Sequence, residues 1–270
     1  MKGNTFPIAL LVTVILNSCS FPHYYYTPNV QNVPMLRDKD ECHLSGFFGG
    51  WDESSCIELQ SAYSVTDNIG IMADFMTAWG GDVSENDYGK GSYFDGAVGY
   101  FKPINKSGVF EIYGGLGGST QHHEYSKLHY DSGSGNLYRK YDGNSSLSFL
   151  NLFIQPSIGF RFSIFEAAVS TRICRVSYTK TGNYITGNEE LRNELNEVGY
   201  KTHYFIEPAF TLRGGWKNFK IQAQISYTGY MNKPNLYFYE EAHLSGGLYF
   251  NIPVKTKYNL PNNSSDISSF

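Results

Sequence analysis

The sequence predicts an all-β fold, an antiparallel up-and-down transmembrane β-barrel of about ten strands, with eight as the alternative count. Three observations point there. Apolar and polar residues alternate with period two along most of the chain, and no helical period runs past about three turns. The alternating segments are about 11 to 15 residues long, whereas soluble strands average about 5–6 and membrane-crossing strands need about 9–11. Short and long connections also take turns, as they do where short turns close one end of a barrel and long loops the other.

Composition agrees. The 270 residues include 28 Gly, 22 Tyr and 19 Phe, and only 17% are charged. A mean hydropathy of −0.34 argues against a helical membrane protein. A net charge of −4 argues against nucleic acid as a main partner. No Rossmann, Walker or zinc-ligand spacing occurs, and no pattern points to a cofactor.

Residues 1–18 read as an export signal. Lys2 is followed by the apolar stretch Ile8 to Leu16, too short to span a bilayer as a helix. The stretch ends Leu16-Asn17-Ser18-Cys19, similar to the lipobox of bacterial lipoproteins, which makes Cys19 the expected lipidation site. Residues 19–40 carry Pro22, Pro28, Pro34 and the run Tyr24 to Tyr26 without periodicity, and read as an extended periplasmic tether.

Ten strands are expected at 41–51, 55–65, 69–79, 92–102, 108–120, 148–162, 166–178, 202–214, 218–230 and 239–251, within a barrel domain of 41–252. In the second, Ile57, Leu59 and Val65 oppose Glu58 and Gln60. In the seventh, Val169 and Ile173 oppose Ser170 and Arg172. In the eighth, Ile206, Phe210 and Leu212 oppose Glu207, Thr211 and Arg213. In the ninth, Ile221, Ala223, Ile225 and Tyr227 oppose Gln222, Gln224, Ser226 and Thr228. The polar sets are poor in Lys and Glu for a solvated face, so they are expected to line the lumen and bond to one another. At eight to ten strands the interior is expected to be filled by side chains, which makes a general porin a poor fit.

The short connections 66–68, 103–107, 163–165 and 215–217 are assigned to the periplasmic end. The long ones, 80–91, 121–147, 179–201 and 231–238, are assigned to the outside together with the short 52–54, the one exception, which places both termini in the periplasm. Trp51, Trp79, Phe101, Phe162 and Trp216 sit near strand ends and read as interfacial girdles. Strand glycines such as Gly114, Gly115, Gly117 and Gly118 suit a tightly curved wall. Residues 253–270 read as a tail without order.

Few constellations carry chemistry. Cys42, Cys56 and Cys174 remain after Cys19, and hairpin register keeps Cys42 and Cys56 out of disulfide reach. His122, His123 and Glu124 open the 121–147 loop with His129 nearby, a candidate metal set against the plainer reading of a solvated loop. The tetrapeptide His-Leu-Ser-Gly occurs at 43–46 and 243–246, and His243 with Ser245 would share a strand face as a base–nucleophile pair. No third residue is identifiable to orient the histidine. Segment 188–198 spaces Leu191, Leu195 and Val198 as an amphipathic helix capped by Asn188. Outward loops collect Asp82, Glu85, Asp87, Glu189, Glu190, Glu194 and Glu197, while Lys102, Lys106, Arg161, Arg213, Lys217 and Lys220 fall near the other end.

Several stretches carry a family likeness: Asn32–Leu36, Gln60–Met72, Gly99–Pro103, Phe110–Gly115 and Phe153–Phe160. Together they resemble uncharacterised β-barrel outer-membrane lipoproteins of Bacteroidota. The resemblance implies the same fold and address, and no activity. The expected function is a non-enzymatic envelope role, structural or through ligand binding by loops 121–147 and 179–201. The alternatives are a lipid-modifying enzyme at the rim, through His243 and Ser245, and a narrow solute channel. Outer-membrane lipid and a lipid on Cys19 are the expected partners.

Overall fold

A computed structural model describes residues 24–50, 54–131, 133, 135–232 and 238–253. The strands are β1 (Glu41–Gly50), β2 (Ser54–Ser64), β3 (Ile69–Asp82), β4 (Asp87–Pro103), β5 (Gly108–Asp131), β6 (Asn136–Arg161) and β7 (Phe165–Asn183). After helix α1 (Glu189–Tyr200) come β8 (Thr202–Gly215), β9 (Phe219–Tyr227), β10 (Gly229–Tyr230) and β11 (Ala242–Pro253). Each pairs antiparallel with its neighbour, β8 pairs β9, and β11 joins β9 to β1, so the sheet closes. β10 continues the β8 pairing in the same register beyond Thr228, so the ring has ten staves.

The faces are inverted relative to a soluble barrel. Leu59, Phe75, Val98, Leu116, Leu150, Val169, Phe210 and Ile221 are exposed on the successive staves β2 to β9, while Glu58, Gln60, Arg172, Glu207 and Gln222 are buried. A continuous apolar band around a polar interior is the surface a bilayer requires, and in water it would be an aggregation-prone patch. Trp79 lies outward at one end of this band, and Phe162 and Trp216 at the other. Phe101 departs from the girdle expectation: it is fully buried on the inner face. Trp51 lies outside the described residues.

Two expected loops are largely strand. β5 and β6 continue their ladder to Asp131 and Asn136, so most of 121–147 is a hairpin standing beyond the rim. β3 and β4 likewise run to Asp82 and Asp87, leaving one turn of 3₁₀ helix at Val83–Glu85. Alternation in these segments is weak, because no lipid-facing side is needed above the rim. Arg139 braces the hairpin, pairing with Glu85 and with Asp87 at 3.1 Å.

The largest departure is the expected tether. Residues 24–36 are not outside the barrel but run through it, buried at Tyr25, Tyr26, Val30, Gln31, Val33, Met35 and Leu36. Tyr25 N–H donates to Phe238 C=O at the long-loop end, and Leu36 N–H donates to Glu111 beside the short-turn end. The chain then leaves the lumen and enters β1. Two inner-wall glycines make the passage fit. A Cβ on Gly70 would come within 2.7 Å of Leu36, and one on Gly159 within 2.6 Å of the Met35 sulfur.

Candidate functional site in the threaded lumen and the vestibule above it

An extended segment inside a barrel has no strand to pair with, yet its amides must be satisfied. The wall side chains supply the partners. Val30 N–H donates to Glu58 (2.9 Å), and Gln60 donates to Val30 C=O (2.7 Å). Gln224 brackets Gln31, accepting from its N–H at 2.7 Å and donating to its C=O at 2.9 Å. Gln155 donates to Asn32 C=O at 2.7 Å and Arg213 to Val33 C=O at 2.6 Å. Glu111 accepts both the Met35 and Leu36 N–H groups, at 3.0 and 2.9 Å. This is the use of the polar inner face: its Gln, Glu and Arg residues hold the threaded backbone as well as one another.

The lumen is layered. Near the long-loop end Tyr26 stacks on Phe205, ring centroids 4.4 Å apart, with Phe149 beside it. Below, Asn29 and Asn32 donate to Asp95 and Asp74, which face each other across β3 and β4. Arg172 donates to Gln155 at 2.9 Å and to Asn29, with its guanidinium 4.7 Å from the Phe153 ring. At the short-turn end Glu166 gathers Arg213 (3.0 Å) and Lys220 (2.9 Å), while Arg161 meets Glu41 at 2.7 Å. Arg213 and Lys220 therefore point inward, and are not part of a solvated basic rim. Ser170, Thr211, Ser226 and Thr228, read as lumen-lining, are also buried.

The histidine expectations resolve differently. His243 does not pair with Ser245, whose Oγ has no hydrogen-bond partner. Its Nδ1 lies 3.2 Å from Glu240 Oε1 and its Nε2 3.7 Å from the Cys56 sulfur. Glu240 is the orienting carboxylate: the expected strand 239–251 contained it without singling it out, and with β11 starting at Ala242 it turns to His243 from the segment before the strand. Cys56, Glu240, His243 and Ser245 are all buried. Segment 24–26 pairs against 238–240 there, so the cluster serves the seam between thread and wall. Cys42, Cys56 and Cys174 are free thiols, and Cys42 sits opposite Tyr63 in the β1–β2 register.

The candidate metal set is also divided. His122 Nε2 lies 2.9 Å from Glu124, but His123 turns to the opposite, buried face of β5. Among the described residues no group of three His, Cys, Asp or Glu is placed to hold a metal.

Above the thread, the two outward segments meet over a cavity of about 370 Å³. The hairpin contributes Tyr125, Ser126, Lys127 and Asp142; α1 and its cap contribute Asn188, Glu190, Leu191 and Glu194; Tyr25, Asp87 and Phe238 complete the wall. The helix forms where its spacing predicts. Asn188 caps it by accepting from Leu191 N–H at 3.1 Å, and Leu195 and Val198 are buried. His203 holds the far end, with Nε2 2.9 Å from Val198 C=O and Nδ1 2.8 Å from the Tyr230 hydroxyl. Four of the lining residues are carboxylates against one lysine. Asp142 is buried with one carboxylate oxygen, Oδ1, unpartnered. Partial burial raises the Glu194 carboxyl above its ordinary range, and a hydrogen bond from Tyr25 offsets part of that rise.

No family model matches the chain, and no curated protein does. Solved structures similar to it are barrels. The outer membrane protease OmpT from Escherichia coli aligns at 9% identity and a TM-score of 0.42, covering 79% of this chain and 94% of its own. The KdgM porin aligns at 12% identity and 0.36, covering 78% and 99%. LpxR from Salmonella typhimurium aligns at 7% identity and 0.35, covering 77% and 99%. No residue role is carried over from them.

Proposed function

We propose that the protein is an outer-membrane barrel lipoprotein, anchored through Cys19, that binds a small organic cation at its long-loop face. Kinship with the Bacteroidota lipoproteins is part of this reading. The carrying observation is the vestibule. Its volume suits a small molecule, its walls offer Tyr25, Tyr125, Leu191 and Phe238, and its charge comes from Asp142, Glu190 and Glu194, with Asp87 already paired to Arg139. Asp142 adds a buried carboxylate with one oxygen unpartnered, whose charge an ammonium or guanidinium in the cavity would offset. Aromatic walls add attraction for a cation. Neither alternative finds comparable support. The lumen that a channel needs holds residues 24–36, and the His243–Ser245 pair of an enzyme is not formed.

Titration calorimetry of the detergent-folded protein with benzylamine and benzoate, which share a body and differ in charge, tests this. Benzylamine is expected to bind and benzoate not, with an affinity loss of about tenfold in Asp142→Asn, or about 1.4 kcal/mol. The benzylamine affinity should also fall as pH drops through the raised Glu194 value, because the protonated carboxyl no longer attracts a cation. Equal responses to both probes, or none, would refute the binding reading.

A further inference from the structure

We infer that the chain's N-terminus leaves the barrel on the long-loop face, so that a lipid on Cys19 enters the outer leaflet at the cell surface. This rests on the lipoprotein reading above and adds the side of the membrane. The tether expectation placed that lipid on the periplasmic side.

Tyr25 and Tyr26 are tied to Phe238, Tyr239 and Glu240 in the connection that precedes β11, and the Tyr178 hydroxyl donates to Tyr25 C=O at 2.7 Å. All of these lie at the long-loop end. From there the thread runs in one direction to Leu36 at Glu111, and it joins β1 at the short-turn end. Thirteen residues, at up to about 3.3 Å each, are enough to cross a hydrocarbon core of about 30 Å. The five steps from Tyr24 back to Cys19 reach at most about 18 Å. The apolar band of a barrel is about 25 Å tall. Cys19 therefore cannot return to the short-turn face, and the lumen it would have to pass is already filled.

The rim offers an exit at the right place. Tyr24 and Thr27 share a small crevice with Ser54, the first residue of β2. Only three residues connect β1 to β2, against the tall β5–β6 hairpin across the barrel. That short connection is the one exception in the alternation of loop lengths. A long loop there would stand between the emerging chain and the bilayer.

The test uses the full chain in its native cells. One variant carries a short epitope between Ser20 and Phe21, and another carries it after Phe270. Heat-modifiable gel mobility first verifies that each has folded. Antibody is expected to label the first on intact cells, and the second only after the outer membrane is permeabilised. Metabolic labelling with an alkyne fatty acid is expected to mark the wild type and not Cys19→Ala. An N-terminal epitope that needs permeabilisation, on a protein that carries the fatty acid, overturns the threading and leaves the lipoprotein reading standing. Surface epitope without fatty acid overturns the lipid and leaves the threading standing.

Discussion

Glu111 shows what single inner-face residues do. Its carboxylate accepts two successive backbone N–H groups from Met35 and Leu36 in a site closed to water. Removing it leaves two buried donors unsatisfied, a cost of about 3 kcal/mol. Glu111→Ala should therefore lower the urea midpoint of the detergent-folded protein clearly. Ser245→Ala is the contrast, because its Oγ makes no hydrogen bond and its loss should change stability by less than about 0.5 kcal/mol. A fall equal to that of Glu111→Ala would assign Ser245 a partner. Period-two alternation marks Glu111 as inward, but nothing local says that its partner is a backbone 75 residues earlier. The same limit applies to His243. Its strand neighbour Ser245 was legible, and Glu240 lies only three residues before it, while Cys56 on β2 reaches it only through closure of the ring.

Among the elements, the β5–β6 hairpin is the part whose form was least legible. A strand in contact with lipid on one face and a lumen on the other must alternate, and that alternation is readable. Above the rim both faces meet water or other loops, so the code lapses although the ladder continues. The staves and α1, with a face to bury, fall close to their expected limits. What keeps the hairpin upright is tertiary: Arg139 reaches Glu85 and Asp87, and Ser126 donates to Glu85 C=O at 2.7 Å. These ion pairs are partly exposed and contribute roughly 0–1 kcal/mol each. Arg139→Ala should raise hydrogen exchange and protease cleavage within 126–140 while leaving the thermal transition of the barrel in place. A drop in that transition would mean that the hairpin and barrel unfold together.

For the whole molecule, the central fact is that the ring is small enough to be filled by one extended strand of its own chain. Side chains alone were expected to fill that space, and the proline-containing stretch before β1 reads as a tether because an extended segment without a sheet has no period. Of its polar partners Glu58, Gln60, Arg213 and Gln224 were expected on the inner face while Glu111 and Gln155 were not singled out, and three of the stretches quoted for the family resemblance, Phe110–Gly115, Phe153–Phe160 and Asn32–Leu36, meet there through Glu111, Gln155 and Gly159. Deleting residues 24–36 should convert a silent protein into a conducting one in planar bilayers, because the wall would then enclose an aqueous polar tube. Silence in the folded deletion would show that the wall collapses inward without the thread.

The thread also imposes an order on assembly. Gln31 is held by Gln224, 193 residues away, and Val33 by Arg213, 180 residues away. A segment made before every stave is thus gripped by two of the last ones. A ring cannot be sealed at the β1–β11 seam and filled afterwards, since the emerging end would have to be pushed past the aromatic layer. The seam has to close with the segment already lying along it. Geometry alone then ties the end of folding to its start, and any factor that inserts the protein into a membrane must keep one edge of the sheet open until residues 24–36 are in place.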